Sequence, residues 1–273
     1  MPELPEVQSF VNAINQSYAG RKLSGIEFHR KNLRYPFEKI ELKDIFSRGT
    51  IFHGCQRQGK QLLLKTERGD VSVSLGMSGA FVPKPSSSKP NKHEHVTLLF
   101  EEGNHLGYED PRRFGFWKVS PKGPTTDHCV PVDALEQKEL LQLFLSKKIS
   151  TKKASIKAVL MDQHFIGGIG NIYALEALHR ANIHPLKLCS QLSQIDCQKL
   201  AKEIPKILFK AIELGGSSVS TYRTLHGEHG NFQKLHLVYG REGESCLTKG
   251  CLGVVERLLQ NGRSSFYCPH CQK

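Results

Sequence analysis

The strongest constraint on how this chain folds is a change of hydrophobic period about halfway along it. Gln61-Leu62-Leu63-Leu64, the alternating Val71, Val73 and Leu75, His95 to Phe100, and Phe114 to Val119 are short runs of β type. Beyond them, apolar residues recur at helical spacing near 133–147, 151–162, 172–182 and 193–214. Period two buries one face of a strand and period 3.6 buries one stripe of a helix, so the two halves cannot share one layer. The pattern predicts an α+β chain of two domains, a β-sandwich or barrel followed by a helical domain, which suits 273 residues. Val7, Phe10, Val11 and Ile14, closed by Gly20, add a helix at the amino terminus. Pro121 to Pro131 (PKGPTTDHCVP) coincides with the change of period and is expected to be the linker. Pro83 to Lys92 (PKPSSSKPNK) is expected to be a mobile surface loop. The expected parts are 1–130, 131–240 and a cysteine-bearing tail, 241–273.

That tail has its own logic. Of eight cysteines, Cys55, Cys129, Cys189 and Cys197 are scattered and expected to be reduced core residues. The other four form Cys246-x4-Cys251 and Cys268-x2-Cys271, with sixteen residues between the pairs. Four thiolates at this spacing can surround one Zn²⁺ tetrahedrally and leave no open position, so a structural zinc is expected. Asn261-Gly262 between the pairs is a hairpin signal, placing Arg263 at the tip of a metal-fixed finger.

Charge narrows the partner. Thirty-eight basic against twenty-six acidic residues give a formal charge of +12, which favours a polyanion through counterion release. No apolar run approaches the ~20 residues of a spanning helix, and the first residues carry no targeting signal, so a soluble cytoplasmic protein is expected. Lys147, Lys148, Lys152, Lys153 and Lys157 are too many charges for a core and should face phosphate or water. They lead into Gly167, Gly168 and Gly170, then Asn171, which is placed to cap the next helix and its exposed N–H groups. His93 and His95 stand two apart, but no further ligands nearby complete a metal site.

The amino terminus offers chemistry. Pro2 is small enough for removal of Met1, which would leave a secondary amine with a pKa near ~8 and a usable neutral fraction at pH 7. Glu3 and Glu6 supply carboxylates for proton transfer. The same residues also suit a plain helix start, with Pro5 in the first turn.

PELPEV at the start, GMSG at 76–79, DPRRFG at 110–115, GIGNIYALEAL at 168–178, VYGREGE at 238–244 and the four-cysteine terminus occur in this order. Together they resemble the formamidopyrimidine-DNA glycosylase family over nearly the whole chain. The resemblance implies an N-terminal β-sandwich, a helix–two-turn–helix domain and a zinc finger, with DNA bound between the two domains. It implies excision of 8-oxoguanine and formamidopyrimidines from double-stranded DNA, action at abasic sites, and strand cleavage by β- and δ-elimination; nothing in the sequence signals a stable oligomer, so a monomer is expected. Pro2 would be the Schiff-base nucleophile, Glu3 the principal acid/base group, and Lys60 a lysine near the damaged nucleotide. Extruding a nucleotide leaves a hole in the stack, and Met77, Arg112 and Phe114 would enter it. His93, Lys157, Asn171 and Arg263 would face the DNA, the last three at phosphates. Gly215 to Phe232 would be a lid over the extruded base, with Ser217 and Tyr222 as its recognition residues. The first cysteine pair departs from the family's usual Cys-x2-Cys, which leaves the finger's orientation open. Two other readings stand beside this one: an endonuclease VIII-like glycosylase for oxidised pyrimidines, which PELPEV and GNIYALEAL fit less well, and a non-enzymatic zinc-bearing DNA-binding protein.

Overall fold

The computed structural model describes residues 1–120, 132–143, 145–146, 149, 152–218 and 222–273. The expected linker at Pro121–Pro131, with Cys129, and the lysines Lys147 and Lys148 lie outside the described residues. The chain forms two compact units, Met1–Thr126 with Gly215–Gly230, and Asp127–Leu214 with Asn231–Lys273. Gly215–Gly230 therefore packs with the first unit, although the change of period groups it with the helices, and the cysteine tail packs with the second.

The first unit opens with α1 (Leu4–Tyr18), where Pro5 occupies the first turn and needs no hydrogen-bond donor. Leu4, Val7, Phe10, Val11, Ile14 and Tyr18 make one buried stripe at helical spacing. After it come β1 (Leu23–Phe28), the short α2 (Lys39–Ile45), β2 (Phe52–Gln58), β3 (Gln61–Thr66), β4 (Gly69–Ser74), β5 (Ala80–Pro85), β6 (Glu94–Phe100), β7 (Asn104–Glu109) and β8 (Phe116–Val119). They form two antiparallel four-stranded sheets, β1-β6-β7-β5 and β2-β3-β4-β8.

Register aligns the inward side chains. Leu62 pairs with Val73 and Val73 with Trp117, all fully or nearly fully buried. Trp117 of one sheet meets Phe81 and Tyr108 of the other, with ring centroids 6.0 and 5.6 Å apart. These rings close a sandwich core, each burial contributing on the order of 1.5–3 kcal/mol.

Four strands, β1, β2, β5 and β7, escape a periodicity reading because they carry Gly, Pro or polar residues inside the run. Pro83 and Pro85 are tolerated because β5 is an edge strand, so the expected loop at Pro83–Lys92 begins inside a strand. Phe114, expected to start a strand, lies before β8 in a loop.

In the second unit, Val132–Asp133 (β9) and Ile166–Gly167 (β10) make a two-residue parallel pair beside α3 (Lys138–Leu143). Helix α4 (Ile156–Met161) and helix α5 (Asn171–Arg180) flank a double turn. Gln163 braces that turn, accepting from Gly168 N at 3.0 Å and donating to the Ile169 carbonyl at 2.8 Å. Helix α6 (Gln194–Glu213) starts at Ser193, whose hydroxyl accepts from Asp196 N at 3.1 Å while Asp196 accepts from Ser193 N.

The hairpin β11 (Glu256–Gln260) and β12 (Arg263–Tyr267) turns at Asn261 and Gly262, both left-handed at φ 51° and 72°, the geometry of a tight two-residue turn. Leu175 of α5 packs with Val238 and Val255, docking helix and hairpin. Among the described residues, no helix is long and apolar enough to cross a membrane.

Candidate active site and metal centre

Pro2 is buried beneath an exposed Met1, and Glu3 and Glu6 are 4% and 2% exposed. A carboxylate this deep must be satisfied, and backbone N–H groups do it. One oxygen of Glu6 accepts from Glu3 N at 2.7 Å, and the other accepts from Ser217 N at 2.7 Å. Gly216 makes this approach possible: it is left-handed at φ +82°, and a Cβ there would lie 2.6 Å from Glu6 Oε1. Tyr222 points its hydroxyl at the Glu6 carbonyl, 3.5 Å away, and sets its ring edge-on to Phe10 at 5.9 Å. Burial, then the charge of Glu6, push the Tyr222 hydroxyl far above its ordinary pKa. Leu225 is part of the sandwich core. Ser217 and Tyr222, expected in a covering lid, are thus both tied to the start of α1.

A cavity of about 500 Å³ opens in the same unit, lined by Met1, Met77, Ser78, Glu109, Arg112 and Arg223 among others. Met77 and Phe114 are 39% and 46% exposed, so neither is core filler, and the Arg112 guanidinium lies over the Phe114 ring at 5.0 Å. A residue that composition does not single out holds this corner together. Asp110, fully buried, accepts from Ser78 Oγ at 2.5 Å and from Gly115 N at 2.8 Å, and Ser78 Oγ in turn accepts from Arg112 N at 3.1 Å. The GMSG and DPRRFG segments are therefore one structure. An acid embedded among arginines was the available signal for Asp110.

His95 sets Nε2 against the Asp110 carbonyl at 2.8 Å, while its buried Nδ1 has no partner. Burial is the largest cause of its lowered pKa. His93, half-buried just before β6, is not drawn with it into any metal-binding group among the described residues. Lys60 sits half-buried in the β2–β3 turn after left-handed Gly59.

Lys157, Asn171 and Arg263 come together in the second unit. Lys157 does not face water as a lysine-rich stretch suggests, since it is 2% exposed and donates to Ser265 Oγ at 2.6 Å. It lies on the buried stripe of α4, with Ile156, Val159 and Leu160. Burial first, then the neighbouring Arg263, lower its pKa to about 8. Lys152 instead stacks on Phe165 at 3.9 Å, and Lys153 is exposed.

Asn171 also differs from expectation. Gly170 takes the cap position of α5, and Asn171, already helical, donates its amide to the Ser264 carbonyl at 3.0 Å. Its Oδ1 is buried without a partner. Arg263 itself is exposed at the hairpin turn.

The Sγ atoms of Cys246, Cys251, Cys268 and Cys271 all lie within 4.8 Å of one another. Their separations of 3.8 Å (Cys246–Cys271), 3.8 Å (Cys251–Cys268) and 3.3 Å (Cys251–Cys271) fit a small tetrahedral ion, for which Zn–S bonds of ~2.3 Å set S–S edges near 3.8 Å. Thr248 N and Gly253 N point at Cys246 and Cys251 Sγ, from 3.5 and 3.3 Å, as anionic thiolates require. His179, which spacing does not reveal, brings Nε2 within 3.6 Å of Cys246 Sγ from α5. Cys55, Cys189 and Cys197 are free and buried, as their scatter predicts.

Residues 1–117 match the formamidopyrimidine-DNA glycosylase N-terminal domain, and residues 131–223 the formamidopyrimidine-DNA glycosylase H2TH domain. Formamidopyrimidine-DNA glycosylases of Bradyrhizobium sp. (strain ORS 278) and Gluconobacter oxydans (strain 621H) are 38% and 37% identical to the chain, each covering 100% of both sequences. Among solved structures, the Lactococcus lactis Fpg in complex with abasic-site DNA superimposes with TM-score 0.87 at 30% identity, covering 99% of each chain. A mutant of that protein bound to Fapy-dG containing DNA also scores 0.87 at 30% identity, over 100% of each.

Two outcomes are expected from the site as built. Gly216→Ala should lower the melting temperature by an amount corresponding to ~1–3 kcal/mol, since it combines a left-handed alanine with a contact on Glu6; an unchanged melting curve would mean that the loop does not need this close approach. Metal analysis of the purified protein should find one zinc per chain, falling to near zero in Cys251→Ser/Cys268→Ser, and a parent protein without stoichiometric metal would contradict the four-thiolate site.

Proposed function

The chain belongs to the formamidopyrimidine-DNA glycosylase family, DNA glycosylases of base excision repair, and on that premise we propose that it excises oxidised purines and then cuts the strand through a Schiff base on Pro2. The observation that carries this reading is the setting of Pro2. It lies just before α1, next to buried Glu3 and Glu6, and Met1, the residue whose loss would free its nitrogen, lines the cavity beside Met77 and Arg112.

With Met1 removed, the Pro2 nitrogen is a secondary amine. The positive end of the α1 dipole favours its neutral, nucleophilic form. It attacks C1′ of the lesion nucleotide; the N–C1′ bond forms as the glycosidic bond breaks, and the departing base takes the electron pair and a proton. Opening of the sugar ring, with Glu3 delivering a proton to the ring oxygen, gives an iminium. The iminium withdraws electrons from C2′, so loss of a 2′ proton expels the 3′ phosphate, and a second elimination expels the 5′ phosphate. Water then hydrolyses the imine and restores the amine. Glu6 has both oxygens engaged by backbone N–H groups, so its part is to position rather than to carry protons.

The remaining residues serve the DNA. Met77, Arg112 and Phe114 are exposed in a way that a core role does not explain, and they fill the gap left by the extruded nucleotide. The cavity beside them receives the base, with Ser217 and Tyr222 in the segment that forms its flank. Lys60 and His93 face the lesion strand from the sandwich. Lys157, Asn171 and Arg263 converge on one phosphate: a phosphate there favours the charged form of Lys157, offsetting the lowering of its pKa, and adds a hydrogen-bonding partner for the Asn171 amide. Cys246, Cys251, Cys268 and Cys271 would hold one structural zinc that fixes the hairpin bearing Arg263; no step of the reaction passes through it. The substrate is double-stranded DNA carrying oxidised bases or abasic sites, and the protein acts as a monomer.

Excision from 8-oxoguanine:C duplexes should exceed that from thymine-glycol:A duplexes by at least about tenfold in single-turnover rate, a difference of ~1.4 kcal/mol in transition-state binding. Equal or reversed rates would favour a pyrimidine-directed enzyme, and Glu3→Gln protein as fast as the parent would remove the assigned acid.

A further inference from the structure

The 29–36 loop is a hairpin-like excursion with a backbone bridge between Asn32 and Pro36, pinned by the buried side chains of Leu33 and Phe37. Its ends are fixed to the corner already described: His29 N donates to the His95 carbonyl at 3.0 Å, and Arg34 N to the Gly115 carbonyl at 3.2 Å. Arg30, Lys31 and Arg34 are all exposed, as are Arg113 and Lys118 on the neighbouring segment. Arg30 and Arg113 both lie close enough to His95 to act on its charge. Arg34 and Lys118 stand over the same ring, Tyr35, at 5.4 and 4.7 Å, and that ring lies 5.9 Å from Phe116.

Five cations held on one face repel one another, and an isolated protein usually relieves this with carboxylates. Several cations elsewhere are paired in this way, among them Arg21–Glu102 at 3.6 Å, Arg68–Asp44 at 3.2 Å, Arg241–Glu244 at 2.9 Å and Arg257–Glu242 at 3.4 Å. Among the described residues, none of the five cations has such a partner. Glu38, the first acid after the loop, accepts instead from Val119 N at 2.9 Å.

We propose that Arg30, Lys31 and Arg34, with Arg113 and Lys118, form a phosphate-binding surface that continues from the Arg112–Phe114 segment and grips duplex DNA beyond the lesion. This rests on the DNA-glycosylase reading and extends it to a second contact region. Stacking on Tyr35 holds the two outer cations in place before DNA arrives, which reduces the ordering they must undergo on binding. The surface reads no sequence; it adds affinity and orients the wedge residues on the backbone.

Counterion release supplies the test, since each phosphate contact adds ~0.9 to the slope of log K against log salt. Binding of full-length parent, Arg30→Gln/Lys31→Gln/Arg34→Gln and Arg68→Ala proteins to a duplex with a non-cleavable abasic analogue is measured by fluorescence anisotropy from about 50 to 200 mM salt. Glutamine keeps most of each aliphatic stem, and Arg68 is the reference cation because Asp44 already pairs with it. The triple variant should lose about 2–3 in slope and Arg68→Ala essentially nothing. A triple variant with the parent's slope, or an equal drop in Arg68→Ala, would overturn this surface alone. A parent whose binding shows no salt dependence would overturn the DNA reading and this surface with it.

Discussion

Much of the first unit's function hangs on a single buried carboxylate. Glu6 is removed from water yet carries two short hydrogen bonds from backbone N–H groups, one from the residue before its own helix and one from a residue 211 positions away. Bonds to a charged acceptor contribute about 1.5–3 kcal/mol each and have narrow geometry. One side chain thus fixes how the chain enters α1 and where the segment Gly215–Gly230 meets it. A nucleophile at Pro2 needs such control, because an amine on a fraying terminus would spend little time in a productive position.

The same device recurs. Asp110 gathers a hydroxyl and a backbone N–H and so joins the two segments that expose Met77, Arg112 and Phe114. Glu176, 1% exposed on α5, accepts from Leu237, Val238 and Tyr239 N at 2.8, 3.1 and 2.9 Å, tying the chain before the cysteine tail to the helix. Each is an acid in a strongly basic chain, and each stabilises irregular backbone where a strand or helix could not go. Many of the cations stand at the surface, where the Arg112–Phe114 corner and the 29–36 loop display them, while Lys157 is turned inward toward Ser265.

The sequence reveals some of this more clearly than the rest, for physical reasons. Periodicity exposes α1, α6 and the strands with uninterrupted apolar alternation, because burial is what selects those residues. Cysteine spacing exposes the four-thiolate cluster, because a small ion demands ligands close together. What stays hidden depends on long-range pairing or on a competition one position wide. The partner of Glu6 lies across most of the chain. Gly170 displaces Asn171 from the cap, freeing its side chain for Ser264. Lys157 reads as a surface lysine in a lysine-rich stretch, and only the helix face it occupies shows that it is buried. The strands β1 and β7 look like loops until neighbouring strands supply their hydrogen bonds.

The central claim is a covalent bond between Pro2 and the sugar, and reductive trapping measures it directly. The full-length protein is mixed with an 8-oxoguanine duplex and borohydride, digested, and the DNA-bearing peptide sequenced by mass spectrometry. A stable adduct on the nitrogen of residue 2, in a chain that has lost Met1, is the predicted result. Efficient strand cleavage with no adduct, or an adduct mapped to a lysine such as Lys60 while Pro2 remains unmodified, would contradict it.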